Sequence, residues 1–576
     1  MSYLAQNKTA RNFTRIFGRL LSFMFLTSAA AMPPHPGLLN NNSDSREPNG
    51  CRTAASSIPA QPGLNAPSEL FSLQKANIDG TFRALAVLIE FSDKSGSVDA
   101  FKFDSLLFEN RPGSVRDYYQ EMSYSRLDIT TINLPSSTGW VAAPQAYSYY
   151  CGGRQGVGGY PTNTQKLCED IVDLIDPVVD FSEYDNNKNG YADAIILIHS
   201  GQGAEIYGRD SVDLIWSHKW NISPRKKDGV FIYEYTVQPE YWFQPGDMTC
   251  GVFCHELGHI FGLPDLYDRD ESSYGIGNWS VMSYGSWLGP SHLGGCPAGL
   301  DAWSRIQLGF NTHINITTDT KDVSIAGITD GGPIYRLWSN GNPGCEYFLI
   351  ENRRQTGYDT YLPGEGLLIW HIDETKAGTF NSINDNEHYP GNSSEGNYLV
   401  ALEQADGLFQ MEKRLSRGNA GDPYPGSSGA AEFSSTTTPD SKAYDDDITY
   451  VAVNDISSSG TVITADIIVS LPGETESPTT PAIPLSFDLG QNYPNPFNAE
   501  TSIEINLSRS SLINLDIIDI LGREVRTLAE ENLPSGNSVI HWDGRDNLGE
   551  QVSSGVYFYR LTTECGKETK KMILLK

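Results

Sequence analysis

Basic residues are scarce in this sequence. Lys and Arg number 41 against 71 Asp and Glu over 576 residues, a formal net charge of −30. That balance argues against nucleic acid as the main partner, because phosphate binding needs a positive face. Cysteine is sparse too, eight in all, and no two have CxxC spacing, which argues against a structural zinc knuckle. Histidine numbers ten. Beyond the N-terminus no apolar run approaches the ~20 residues of a membrane-spanning helix, and no repeat of fixed period is present. The abundant residues are 55 Gly, 32 Pro and 29 Tyr, a composition of turns and strands rather than helical bundles. Apolar residues at 39% and aromatics at 11% suffice for several packed cores. The length suggests three to four units of ~150 residues.

The first residues read as an export signal over 1–31. Lys8, Arg11, Arg15 and Arg19 precede the apolar run 20–26, and Ala29 to Ala31 supply small residues for cleavage. An N-terminal anchor or a buried helix is the alternative, disfavoured by length and flanks. The mature chain is then expected to carry no transmembrane segment. Export permits disulfides: Cys151 with Cys168, and Cys250 or Cys254 with Cys296, are the pairs considered, although one sequence does not fix connectivity. Residues 32–79, rich in Pro, Asn, Ser and Ala, read as a propeptide or linker. Residues 80–315 mix strand patterns such as Ala84-Leu-Ala-Val-Leu-Ile-Glu90 with helix patterns such as Ser114 to Met122, an α+β unit. Residues 316–470 alternate as strands separated by Gly, Asn and Asp turns, an all-β sandwich. A Pro/Thr-rich linker fills 471–486, and 487–576 read as a small second sandwich.

The chemistry concentrates in Cys254-His-Glu-Leu-Gly-His-Ile-Phe-Gly-Leu-Pro-Asp265. His255 and His259, four apart, share one face of a helix and present two imidazoles to a zinc ion. Glu256 is placed to take a proton from zinc-bound water and return it to the leaving amine. Gly262 permits a φ > 0 turn back towards the metal. Asp265 then stands where the third His stands in the longer metzincin pattern, and a carboxylate is an acceptable zinc ligand. Glu271 is the nearest downstream alternative; spacing and the Gly262 turn favour Asp265. Met282, in Trp279-Ser-Val-Met-Ser-Tyr284, fits the apolar floor of such a site, and Tyr284 is placed to donate to an oxyanion.

Over residues 80 to about 470 the chain resembles the immune inhibitor A family of secreted zinc metallopeptidases. The resemblance rests on Ala84 to Asp93, Val115-Arg-Asp-Tyr-Tyr119, Leu214-Ile-Trp-Ser-His-Lys-Trp220, His255 to Asp268, Leu300 to Gly309 and Gly366 to Asp373. It implies an extracellular endopeptidase with a metzincin-like domain, one catalytic zinc on His255, His259 and Asp265, catalysis by Glu256, and protein or peptide substrates. Asp185, Asn187, Asn189, Tyr191 and Asp193 resemble the opening of an EF-hand loop, with Gly190 at the sharp turn. The twelfth position is Ile196 rather than Glu, so they read as a structural calcium loop of another architecture. Cys51 is a candidate to hold the enzyme latent through its thiolate, with a disulfide or free thiol as the alternative. Residues 487–576, from Phe487-Asp-Leu-Gly-Gln-Asn-Tyr-Pro494 to the basic-apolar tail 570–576, resemble the C-terminal sorting domain of type IX secretion substrates. Those domains are related in fold to flagellar hook-cap immunoglobulin-like modules. This implies export through that machinery and a secreted or surface-attached product. The competing reading is an inactive protease fold serving as an adhesin; the retained His255, Glu256, His259 and Asp265 argue against it.

Overall fold

The computed structural model describes residues 30–35, 78–208, 210–341, 343–376, 388–392, 397–470, 487–507, 510–519, 523–563 and 566–575. The export-signal stretch up to residue 29, residues 36–77 with Cys51, and the 471–486 linker lie outside the described residues. The architecture is mostly β, with several sheets and a few helices.

The N-terminal part of the described chain is built on a seven-stranded sheet. In chain order its strands are β1 (Ala30–Ala31), β2 (Leu85–Glu90), β3 (Trp140–Ala142), β4 (Tyr191–Ala192), β5 (Ile195–Gln202), β6 (His218–Lys227) and β7 (Val230–Tyr241). Their order across the sheet is β1-β6-β7-β5-β2-β3, with β4 also on β7. The centre is parallel and buried on both faces, and β2 and the first half of β5, Ile195 to Ile198, are accordingly apolar runs. β6 reverses direction against β7. Its outer edge is covered by β1, which pairs antiparallel with Ala30 opposite Lys219 and Ala31 opposite His218.

One face of this sheet is covered by α1 (Val115–Met122) and α3 (Cys250–Ile260), the other by α2 (Thr164–Ile175). Ser114 caps α1 by accepting the Asp117 amide at 3.0 Å, and Asn163 caps α2 through the Lys166 amide at 3.2 Å. α3 is buried all round from Cys250 to His259, as expected of a helix that crosses a core rather than covering one.

Downstream, a five-stranded sheet comprises β8 (His313–Ile316), β9 (Ile334–Trp338), β10 (Glu346–Arg353), β11 (Gly366–Asp373) and β12 (Val400–Leu402). Its one face packs on a three-stranded sheet formed by Thr320–Ala326, Val462–Ile468 and Ala452–Asn454. Its other face contributes Trp338, Leu349, Leu368, Trp370 and Leu402 to the same core that encloses α3. The last unit is again two sheets, of three and four strands, around Trp542, Tyr559, Leu561 and Met572. Among the described residues no helix is long and apolar enough to cross a membrane.

The cysteine pairings considered from sequence are absent: Cys151, Cys168, Cys250, Cys254 and Cys296 are all free thiols. Cys151 instead donates to the Val212 carbonyl at 3.2 Å, and Cys168 packs into the core beneath α2.

The second sheet is tied to the loops that follow α3 by Arg353, fully buried at the end of β10. Its Nε donates to Asp359 Oδ2 at 2.7 Å and its Nη1 to Glu351 Oε1 at 3.3 Å and the Leu300 carbonyl at 3.3 Å. Asp359 in turn accepts the Gly299 amide at 2.8 Å. Replacing one partner of such a network strands buried charge, so Arg353→Met should cost about 3–5 kcal/mol in urea unfolding.

Candidate active site

The site is assembled on α3 and on the two loops that follow it. Helical spacing brings His255 and His259 together, with Nε2 atoms 3.2 Å apart. Each ring is fixed from behind: His255 Nδ1 bonds the Val281 carbonyl at 2.8 Å, and His259 Nδ1 the Leu263 carbonyl at 2.8 Å. A carbonyl only accepts, so both Nδ1 atoms carry the hydrogen and both neutral rings turn an Nε2 lone pair inward. Gly262, at φ +92°, ends the helix in the left-handed conformation and sends the chain back beside it. That return places Asp265 Oδ1 3.3 Å from His255 Nε2 and 3.1 Å from His259 Nε2.

His255, His259 and Asp265 are all buried, and their ligand atoms lie within 4.8 Å of one another. Among the described residues they are the one such group of three or more His, Cys, Asp or Glu side chains. Burial alone would raise the Asp265 carboxyl, but His259 and His255 hold it well below the usual range. Burial lowers His259 despite Asp265. Two imidazole nitrogens and a carboxylate, with inward lone pairs, fit a borderline ion such as zinc. Glu271 is not part of the group; it pairs with Arg414 at 3.5 Å.

Glu256 is fully buried, and neither carboxylate oxygen has a hydrogen-bond partner. Burial, then the neighbouring Asp265 and Glu205, push its carboxyl well above the ordinary value. Met282 is buried beneath α3. A Cβ on Gly258 would fall 2.5 Å from Met282 Sδ, so a glycine between the two histidines lets the helix settle on that sulfur. Tyr284 is buried with its hydroxyl unpartnered, its ring 6.0 Å from Tyr267, whose own ring lies 6.3 Å from His255.

Several contributors were not apparent from sequence. Residues 32–35 run on from β1 into the cleft. The Met32 backbone amide lies beside Glu256 and opposes the rise of its carboxyl. Trp216 Nε1 donates to the Met32 carbonyl at 2.7 Å, Trp287 Nε1 to the Pro33 carbonyl at 3.0 Å, and the His35 amide to the Glu205 carbonyl at 3.1 Å. Glu205 is buried; one oxygen accepts the Ser217 amide and the other has no partner. A small Ala-Ala pair followed by Met-Pro-Pro carries no local strand signal, so only the tertiary fit reveals this segment.

The loop 185–193 is drawn together by its own amides. Asp185 accepts from Asn189 at 3.0 Å and from Gly190 at 2.9 Å, Asn187 from Asn189 at 3.0 Å, and Asn189 from Tyr191 at 2.9 Å. Asp193 accepts from Asn186 at 2.7 Å, and burial lifts its carboxyl to about 6. Gly190 takes the φ +89° turn.

Residues 101–312 match the profile of the immune inhibitor A peptidase M6 catalytic domain. Residues 491–575 match that of a secretion system C-terminal sorting domain. Immune inhibitor A of Bacillus thuringiensis subsp. alesti is 27% identical over 296 residues, 41% of this chain and 41% of that protein. The pre-pro-metalloprotease PrtV of Vibrio cholerae is 29% identical over 224 residues, 33% of this chain and 23% of that protein. The matches therefore span less than half of either relative's length. Among solved structures, dimeric latent PorU from Porphyromonas gingivalis aligns at 20% identity over 20% of this chain and 11% of that one. Its TM-score of 0.15 is too low to establish a shared fold. The chain thus carries a peptidase M6 domain and a type IX secretion sorting domain, and it is a secreted or cell-surface protein.

Burial lifts the Glu205 carboxyl from its ordinary 4.5 to about 7. A raised carboxyl favours the folded state while protonated, and that stability is lost as pH climbs from the unfolded value through the folded one. The loss is about 3 kcal/mol between pH 4.5 and pH 8. Glu205→Gln should abolish most of it, read as a smaller drop in urea-unfolding free energy than the parent shows across that range.

Proposed function

We propose that the protein is a secreted zinc-dependent endopeptidase that hydrolyses peptide bonds of proteins. The observation that carries this reading is the buried meeting of His255, His259 and Asp265 beside an unpartnered Glu256 carboxylate, in a cleft that already holds an extended peptide. The two imidazole Nε2 atoms and the Asp265 carboxylate would hold one zinc, and the Val281 and Leu263 carbonyls, which accept from the two Nδ1 atoms, orient the rings for it. When bound, zinc supplies Lewis-acid polarisation of the carbonyl to be cleaved.

The remaining steps belong to the chain's own side chains. Glu256, with both oxygens free of protein partners, takes a proton from the attacking water at a carboxylate oxygen and delivers it to the departing nitrogen. A carboxyl whose affinity for protons is raised by burial suits both halves of that task. Tyr284 Oη is available to donate to the carbonyl oxygen as it gains charge. The edge of β6 and the indole N–H groups of Trp216 and Trp287 hold an extended backbone, as they hold residues 30–33. Residues 32–35, which follow the export signal read over 1–31, must leave before a substrate enters, which supports a zymogen with this segment as its inhibitory element. Cys51, the other candidate for latency, lies outside the described residues.

A structural calcium on the 185–193 loop is part of the proposal. It is supported by the gathering of Asp185, Asn187, Asn189 and Asp193 about Gly190, and by a half-buried Asp193 that a divalent cation would stabilise in its charged form. The sorting domain supports export machinery as a partner.

Glu256→Gln keeps the ligands and removes the proton carrier. It should retain one zinc per chain by elemental analysis and lose about 10²–10⁴-fold in kcat on a casein substrate. Activity equal to the parent would remove Glu256 from the mechanism.

A further inference from the structure

Beside the cleft, one cation has no anion. Arg417 lies on the loop after Met411 and is held there by its carbonyl, which accepts the Asn278 amide at 2.7 Å. The guanidinium carbon sits 4.6 Å from the ring centre of Tyr274 and 4.7 Å from that of Tyr284. These two rings meet edge to face at 5.4 Å. Its Nε and Nη2 are buried without a hydrogen-bond partner, and among the described residues it forms no ion pair. Glu271, whose charge bears on Tyr284, pairs with Arg414 instead. Nε and Nη2 form one edge of the guanidinium plane, the pair of donors that grips a carboxylate side-on as a fork. Leaving that edge buried and unpaired is costly, so its persistence calls for a partner that comes and goes. The tyrosine that carries it is the one placed beside the catalytic group, and the 32–35 segment passes close enough for the Arg417 charge to bear on His35.

We propose that Arg417 reads substrate: its Nε/Nη2 edge takes a carboxylate of the bound peptide, within a few residues of the bond to be cut. This rests on the peptidase reading and adds to it a preference. The carboxylate has two sources, an Asp or Glu side chain or the free C-terminus of a short peptide.

The test is a set of matched peptides digested by the zinc-loaded protein after the 32–35 segment has been released by limited proteolysis, with cut sites read by mass spectrometry. One series exchanges Glu for Gln position by position around a cleaved bond; another compares free and amidated C-termini. A kcat/KM at least about tenfold higher for one charged member is expected. A side-chain reader shows it in the first series, a chain-end reader in the second. Arg417→Gln should bring the charged-to-neutral ratio close to one, and Arg417→Glu should shift preference to the matching Lys peptide. A merely structural role would lower all members together and leave the ratio intact, overturning the proposal. Equal rates for charged and neutral members in the parent would overturn it as well while leaving the peptidase reading intact. Absence of any chelator-sensitive cleavage would remove both.

Discussion

The site depends on two backbone carbonyls. By accepting from the Nδ1 atoms of His255 and His259, Val281 and Leu263 set both tautomers and turn two lone pairs inward, with the nitrogens 3.2 Å apart. With the Asp265 carboxylate, that is a concentration of electron density that only a cation or a proton can relieve. The constraint reaches outward. Leu263 is in place because Gly262 turns the chain at φ +92°. Val281 is in place because the loop 279–284 is pinned between α3 and the second sheet. That loop rests on Arg353 from one side and brings Met282 under Gly258 on the other.

The second sheet is therefore part of what holds the candidate site in place. β10 and β11 give Leu349, Leu368 and Trp370 to the core around α3, and the loop 411–418 reaches Tyr274 and Asn278. Trp279 Nε1 donates to Asp422 at 3.3 Å, so the floor of the site is bonded to residues nearly 150 positions downstream. The low count of basic residues takes on meaning here. Among the described residues Arg305, also without a carboxylate, has its guanidinium taken up by the Leu300 and Met122 carbonyls, whereas the Nε/Nη2 edge of Arg417 has no such partner.

Much of this was legible in the sequence where spacing alone determines geometry. A helix must place residues four apart on one face, so His255 and His259 were readable. Gly262 announced the turn that returns Asp265, and the alternating strands of residues 501–574 announced a two-sheet unit. What could not be read is set by long-range packing. Ala30 and Ala31 form a strand only because β6 offers an unpaired edge. Glu205 looks like a surface loop acid until the fold buries it. The cysteines at 151 and 168 are close in sequence, yet the chain directs them to a carbonyl and to a core. Arg417 sits far in sequence from the motif whose tyrosine it covers.

In the proposed enzyme His255, His259 and Asp265 together hold one zinc. The direct measurement is zinc-edge X-ray absorption of the purified protein, compared with His259→Ala and Asp265→Ala. The account predicts two imidazole nitrogens at about 2.0–2.1 Å, carboxylate and water oxygens, no sulfur, and loss of this signature in both variants. A sulfur shell near 2.3 Å, which would implicate the neighbouring Cys254 or Cys250, or an unchanged spectrum in the Asp265 variant, would contradict it.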